Sequence, residues 1–363
     1  MKNSLEIVFV TRKWAPAMGG METYCHRLTE ELAKTHQVDV IALPGQADGS
    51  PPRALSLLGF PFTILRRWFA RNTAPDILHI ADMALWPAGL LAPRKTRLVI
   101  SAHGTDVSYS RRGGIKGRLY GAYLCTGARL LGGTRAIANS GATTAALHEH
   151  GWHNTAIVAL ATDVSGAAPC SAPGRNLLFA GRLVERKGLH WFTENVLGRL
   201  PGDIALDVAG TRWDPAEESA LEHPRVNFLG RLDANDLQRA YANALAVILP
   251  NIELANGEFE GFGLIACEAS AAGGIVLAAN CGGLPEAVID GETGFLIESG
   301  NAQAWASHIT EIAGWPDETR QNFIQNAADC ARTQFSWGRV ARETAAHYFA
   351  ADDELITGGR HTE

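Results

Sequence analysis

The 363-residue chain is long enough for two domains of ordinary size, and 46% apolar against 19% charged residues can build full hydrophobic cores. Its six cysteines are scattered, with no Cys-x-x-Cys pair and no His cluster nearby, which argues against a disulfide framework or a zinc site and for a reducing compartment, the cytoplasm. The net charge of −6 hides an asymmetry: residues 50–135 carry thirteen Lys/Arg against three Asp, so that segment is +10 and the remainder −16.

The chain opens with "MKNSLEIVFVTRKW", whose apolar run Ile7 to Val10 is too short for a signal peptide's apolar core and reads as a first buried strand. "RKWAPAMGGMETY" (12–24) follows, with Gly19 and Gly20 at a turn that opens a helix; a plain tight turn is the alternative reading. "VDVIAL", "DILHI", "RLVISAH" and "AIANS" are the next predicted strands. "RLVISAHGTD" places His103 at a strand's end with Asp106 behind it, and Ser140 after "AIAN" is read as a helix cap. "TDVSGAAPCSAPGRN" (162–176), rich in small residues and proline, is the predicted linker, with the boundary near residue 170. Strand-like "NLLFAG", "IALDVAG", "VNFLG", "LAVILP", "GIVLAA" and "GFLI" then alternate with helical segments. No stretch reaches the ~20 apolar residues that span a bilayer. The alternation predicts an α/β protein of two Rossmann-like parallel-sheet domains, 1–168 and 169–340, with a C-terminal helix and tail at 341–363 and Asp352-Asp353-Glu354 as a solvated end. Ligands on such sheets bind beyond the carboxyl ends of the strands.

Three segments of the second half carry chemistry. "FAGRLVERKG" supplies Arg182 and Lys187 after a strand; "EFEGFGLIACEA" holds Glu260, Gly261, Phe262, Gly263, Leu264 and Glu268; "CGGLPEAVIDGETGFL" adds Glu286 and Asp290 around glycine turns. A helix starting near Gly263 offers free N–H groups and a positive dipole end, a seat for a diphosphate. Glycines at 261 and 263 let the backbone come close to a ligand. Arg182 can fork two bonds to phosphate oxygens, and Lys187 adds a mobile charge. A diphosphate repels carboxylates, so Glu260 and Glu268 are expected to accept from hydroxyls instead. The plainer reading makes Arg182 and Lys187 surface cations, Glu260 an exposed loop acid and Glu268 a helix surface residue. Glu286 and Asp290 either face the site or shape their turn.

Taken together and in order, these segments resemble the retaining nucleotide-sugar glycosyltransferases of the GT-B fold, in glycosyltransferase family 4. Glu260 and Glu268, with seven residues between them, reproduce that family's paired acids, and the likeness runs from "GGMETY" to "FSW". It implies two domains facing a central cleft, with the C-terminal helix returning to the first. It also implies donor contacts by Gly19, Gly20, Arg182, Lys187, Gly230, Glu260, Gly261, Phe262, Gly263, Leu264 and Glu268. Glu268 would hold the nucleotide ribose and Glu260 the donor sugar near its 3-hydroxyl. "FLGRL" (228–232) would read the nucleobase through its backbone, and His103 would lie against the sugar. His103, Arg182, Lys187 and Glu260 would form the catalytic set. In the family's usual account the departing diphosphate accepts the acceptor's proton on the same face, so configuration is retained without a dedicated base. No convincing DxD motif is present, so no metal and no cofactor are expected. The implied function is transfer of a hexose from a GDP- or UDP-sugar to a glycan or lipid-linked acceptor in cell-envelope or exopolysaccharide assembly. The long stretch between Pro250 and Glu260 hints at GDP-mannose. Alternatives are a nucleotide-sugar epimerase of the same fold and a non-catalytic sugar-nucleotide-binding protein. A dinucleotide-dependent dehydrogenase would need a G-x-G-x-x-G after a strand, and none is found.

The acceptor is expected near the basic sector. "FTILRRWFARN" (62–72) and "YSRRGGIKGRLYGAYL" (109–124) mix arginines and a lysine with aromatic residues, which suits docking on an anionic membrane surface, here the inner face of the plasma membrane. A solvated basic face is the alternative. No nucleic-acid signature is found, so nucleic acid is not an expected partner.

Overall fold

A computed structural model describes residues 4–349 except Met18, Ser165 and 167–173. The predicted domain boundary and the acidic tail at 352–354 therefore lie outside the described residues.

The first sheet holds six parallel strands in the order β2-β1-β3-β4-β5-β6. They are β1 Glu6–Trp14, β2 Gln37–Pro44, β3 Ile77–Ile80, β4 Arg97–Ala102, β5 Arg135–Ala138 and β6 Thr155–Ile157. Continuous runs such as Ile7 to Thr11, fully buried, form its centre because helices cover both faces. Helix Gly20–Ala33 covers one face through Tyr24, Cys25, Leu28 and Leu32. The helices Ala54–Phe69, Gly114–Leu131 and Gly141–Glu149, with the 3₁₀ segment Met83–Leu91, cover the other through Phe60, Ile64, Trp86, Leu124 and Leu147.

The second sheet is also parallel, ordered β12-β11-β10-β7-β8-β9. Its strands are β7 Leu177–Arg182, β8 Leu206–Thr211, β9 Val226–Gly230, β10 Val247–Leu249, β11 Val276–Ala279 and β12 Phe295–Ile297. The architecture is thus the two-sheet α/β arrangement expected. β6 is the strand that sequence reading omits: three residues at a sheet edge, two half-buried and one exposed, leave no apolar run to see.

The chain returns to the first domain at its described end. Thr162 N–H donates to the Phe335 carbonyl at 3.0 Å, and helix Trp337–Phe349 then packs along Gly20–Ala33. Arg339 donates from Nη2 to the carbonyls of Ala159 and Leu160 at 2.8 and 2.9 Å. Deeper, His79 Nδ1 meets the Tyr348 hydroxyl at 2.6 Å and its Nε2 meets Ser101 Oγ at 2.8 Å, which in turn pairs with the Tyr24 hydroxyl at 2.8 Å. Burial pushes the His79 imidazole down to about 3, so it is a neutral link in this chain.

Candidate active site

A cavity of about 550 Å3 lies where the carboxyl ends of the two sheets face each other. From the first domain it is lined by Lys13, Gly19, Gly20, Glu22 and His103, and from the second by Arg182, Arg186, Lys187 and the run Glu260 to Ile265. The structure thus brings Gly19, Gly20, His103, Arg182, Lys187, Glu260, Gly261, Phe262, Gly263 and Leu264 together around one space.

Each side chain is placed by its element. Arg182 ends β7, and the 3₁₀ turn Glu185–Lys187 carries the next two cations into the cavity. Gly263, at φ 94°, starts helix Leu264–Ala271, whose first turn lines the cavity; a Cβ there would sit 2.5 Å from Leu284. Glu260 is held by Lys187 Nζ at 2.9 Å and lies 3.6 Å from Arg186 Nε. Burial raises the Glu260 carboxyl, but Lys187 and Arg186 outweigh it, and the group is held below the usual carboxylate range. Burial and the neighbouring Arg186 lower Arg182. Its guanidinium carbon also lies 5.5 Å from the Trp213 ring centroid.

His103 follows β4 directly and is buried. Its backbone N–H donates to Asp106 Oδ1 at 2.8 Å, and Nε2 lies 3.1 Å from the Ala81 carbonyl. A carbonyl only accepts, so Nε2 carries a ring proton, and Nδ1 is the acceptor whenever the ring is neutral. Asp106 also accepts from Met83 N–H at 3.2 Å, and burial raises its carboxyl. Asp106 therefore positions the His103 turn from behind. Ser140 accepts from Thr143 N–H at 3.2 Å and is a helix cap.

Some residues differ from the sequence expectation. Glu268 and Gly230 are not among the residues lining this cavity. Glu268 meets the Tyr241 hydroxyl at 3.4 Å, and burial raises its carboxyl; Gly230 closes β9 at φ 69°. Gly261 serves the domain contact as well as any ligand: a Cβ there would lie 2.4 Å from the His103 carbonyl. Glu286 reaches across to the first domain and accepts from Gly141 N–H at 2.6 Å, at a helix N-terminus. Asp290 accepts from Leu296 N–H at 2.9 Å and shapes its own turn. Arg186 and Lys13 also line the cavity, although nothing in the linear pattern of the segments 179–188 and 12–24 distinguishes them; Lys13 pairs with Glu22 at 3.4 Å.

Two Rossmann-like domains meeting at a cavity with cations, a paired acid and a helix N-terminus define the GT-B class. Within it, the chain belongs to glycosyltransferase family 4: residues 18–164 match the model of Glycosyltransferase Family 4, and residues 174–314 match that of Glycosyl transferases group 1. The D-inositol 3-phosphate glycosyltransferase of Corynebacterium glutamicum (strain R) is 37% identical over 147 residues, 40% of this chain and 33% of that protein. Glycogen synthase of Mycobacterium tuberculosis is 33% identical over 182 residues, 48% of this chain and 42% of that protein. The match thus spans well under half the length of these relatives. Sucrose-phosphate synthase from Thermosynechococcus elongatus superposes with a TM-score of 0.72 at 19% identity, over 94% of this chain and 98% of that one. Anabaena HepE in complex with UDP-glucose gives 0.67 at 19% identity, over 94% of this chain and 99% of that one. At that identity the likeness is one of fold.

Proposed function

We propose that the protein transfers a hexose from a GDP- or UDP-sugar to a glycan or lipid-linked acceptor, with retention and without a divalent cation. One observation carries the reading: Arg182, Arg186 and Lys187 converge on the carboxylate of Glu260 at the first turn of helix Leu264–Ala271. Three cations and a helix N-terminus suit a diphosphate, and the acid among them suits a sugar hydroxyl. The same cations supply positive charge for the leaving diphosphate, the role a metal plays elsewhere. The departing diphosphate would take the acceptor's proton, while Nδ1 of His103 would accept from the sugar.

The acceptor has room on the other side of the arginines. A second cavity of about 560 Å3 shares Thr105, Arg182 and Arg186 with the first and adds Arg112 and Trp213. We place the protein in the cytoplasm, at an anionic membrane surface met through its basic 62–72 and 109–124 stretches. Among the described residues no helix is long and apolar enough to cross a membrane.

Thermal shifts with UDP, GDP, ADP and NAD, in EDTA, test the donor site on wild type and Lys187→Ala. A ligand at 100 times its Kd adds about 2.7 kcal/mol of stability. Stabilisation by UDP or GDP alone, blunted in the variant, is the expected outcome. Stabilisation by NAD alone, or by none of the four, overturns the reading.

A further inference from the structure

Helix Ala54–Phe69 is attached to the first domain by a narrow stripe. Phe60 and Ile64 are buried and Trp68 is half-buried against the core behind them. On another side of the same helix stand Leu55, Leu58, Phe62, Leu65 and Phe69, spaced three and four residues apart so that they form one continuous row. Leu55 is 82% exposed, Leu58 72%, Phe62 74% and Phe69 75%. A row of large apolar side chains left in water marks a surface that something covers.

The row does not stand alone. Helix Gly114–Leu131 lies in the same layer over the first sheet and exposes Ile115 at 78% and Leu119 at 66%. Neither helix contains an acid, and Arg66, Lys116 and Arg118 are exposed between and beside these apolar side chains. Arg67 and Arg71 are differently employed: Arg67 pairs with Asp39 at 2.7 Å, and Arg71 is half-buried against Glu6 and Asp39. The basic side chains of the 62–72 stretch therefore divide, two pinning the helix to β2 and the first strand's edge and one facing outward. What faces outward is chiefly apolar, flanked by positive charge.

We propose that helix Ala54–Phe69 lies in the plane of an anionic lipid bilayer, its Leu55–Phe69 row sunk to the level of the acyl chains, with Ile115 and Leu119 of helix Gly114–Leu131, in the same layer, meeting the same surface. This deepens the membrane part of the proposed function and rests on it. An apolar face bordered by cations and free of acids matches the interface of an anionic leaflet. A second copy of the chain fits less well. Self-pairing along the row would bring Arg66 and its counterpart together with no acid on either helix to meet them.

The test is flotation of the whole protein with vesicles of phosphatidylcholine alone and of phosphatidylcholine carrying phosphatidylglycerol. Wild type should float with the anionic vesicles and release in part at high salt. Leu58→Ser/Phe62→Ser should lower the partition at least about tenfold, since each buried side chain contributes more than that factor. Its melting temperature and its shift with UDP or GDP should stay those of wild type, because both residues stand in solvent. Arg66→Glu/Lys116→Glu should remove the preference for anionic vesicles. Wild type that stays with the soluble fraction overturns the proposal, as does unchanged flotation of the serine variant. A dimer in the absence of lipid, abolished by the serine variant, assigns the row to a second copy instead. A nucleotide shift without flotation leaves the donor site standing and the membrane reading refuted; flotation without any nucleotide shift does the reverse.

Discussion

Lys187 Nζ stands 2.9 Å from the Glu260 carboxylate, and both side chains are at least four-fifths buried. The residue read as a phosphate ligand and the residue read as a sugar ligand hold each other directly. Lys187→Ala should cut the transfer rate on the order of 10²–10³-fold, as removal of one electrostatic donor commonly does. Ligand-free melts of Lys187→Ala, Glu260→Ala and the double variant should be non-additive by about 1 kcal/mol or more. Strict additivity would show that the pair contributes nothing to the resting structure.

The paired acids Glu260 and Glu268 should respond to pH with opposite sign. The Glu260 folded value lies below its ordinary 4.5, so its stabilisation is present above that pH and lost as pH falls through the lower value. Glu268 lies above 4.5 for want of solvent, so its contribution is fullest below 4.5 and lost as pH rises through the folded value. At neutral pH, Glu260→Gln should therefore lower stability by about 1–3 kcal/mol, while Glu268→Gln should leave it equal or higher. Melting curves of both variants from acid to neutral pH check this, and parallel behaviour would refute it.

Gly261 faces the His103 carbonyl across the domain boundary, where an added Cβ would lie at 2.4 Å, and Gly104 faces Gly261 in return. Gly261→Ala should hold the two domains slightly apart. At about 1–3 kcal/mol for such overpacking, nucleoside diphosphate should bind on the order of tenfold more weakly. Titration calorimetry with UDP and GDP reads this directly; wild-type affinity would show that the contact is free to slide.

Tyr348→Phe removes the hydroxyl that meets His79 Nδ1 and should cost about 1–3 kcal/mol in a chemical melt. The wild type should also lose stability as pH falls from 6.5 towards about 3, because His79 resists protonation only while folded. A variant as stable as wild type at neutral pH would leave that hydroxyl without structural weight.

Activity should persist in EDTA, since Arg182, Arg186 and Lys187 line the cavity and, on the proposed reading, would face the leaving diphosphate. A sustained loss in EDTA, restored by magnesium, would assign that charge to a metal.

Sequence reading found eleven strands because buried parallel strands are nearly unbroken apolar runs, and it missed Thr155–Ile157, which is short and half-wet. The cavity was legible because most of its lining residues stand in segments that follow β1, β4, β7 and β10; the 281–296 segment, singled out with them, contributes none of the lining. Arg186 was passed over because a linear pattern does not show that a 3₁₀ turn puts neighbours 186 and 187 on one cavity. The Ala54–Phe69 row was hidden for a related reason. That helix is apolar almost all round, and only the fold shows that the Phe60–Ile64 side faces in while the Phe62 side faces out.

The link from His79 to Tyr348 spans 269 positions, and the whole second sheet lies between them. The first domain, although first to leave the ribosome, cannot finish its interior until the second has been translated. Until then Tyr24, His79 and the face of helix Gly20–Ala33 wait without their cover. The order of synthesis and the order of completion are reversed, and a chaperone would meet the older half of the molecule as the unfinished one.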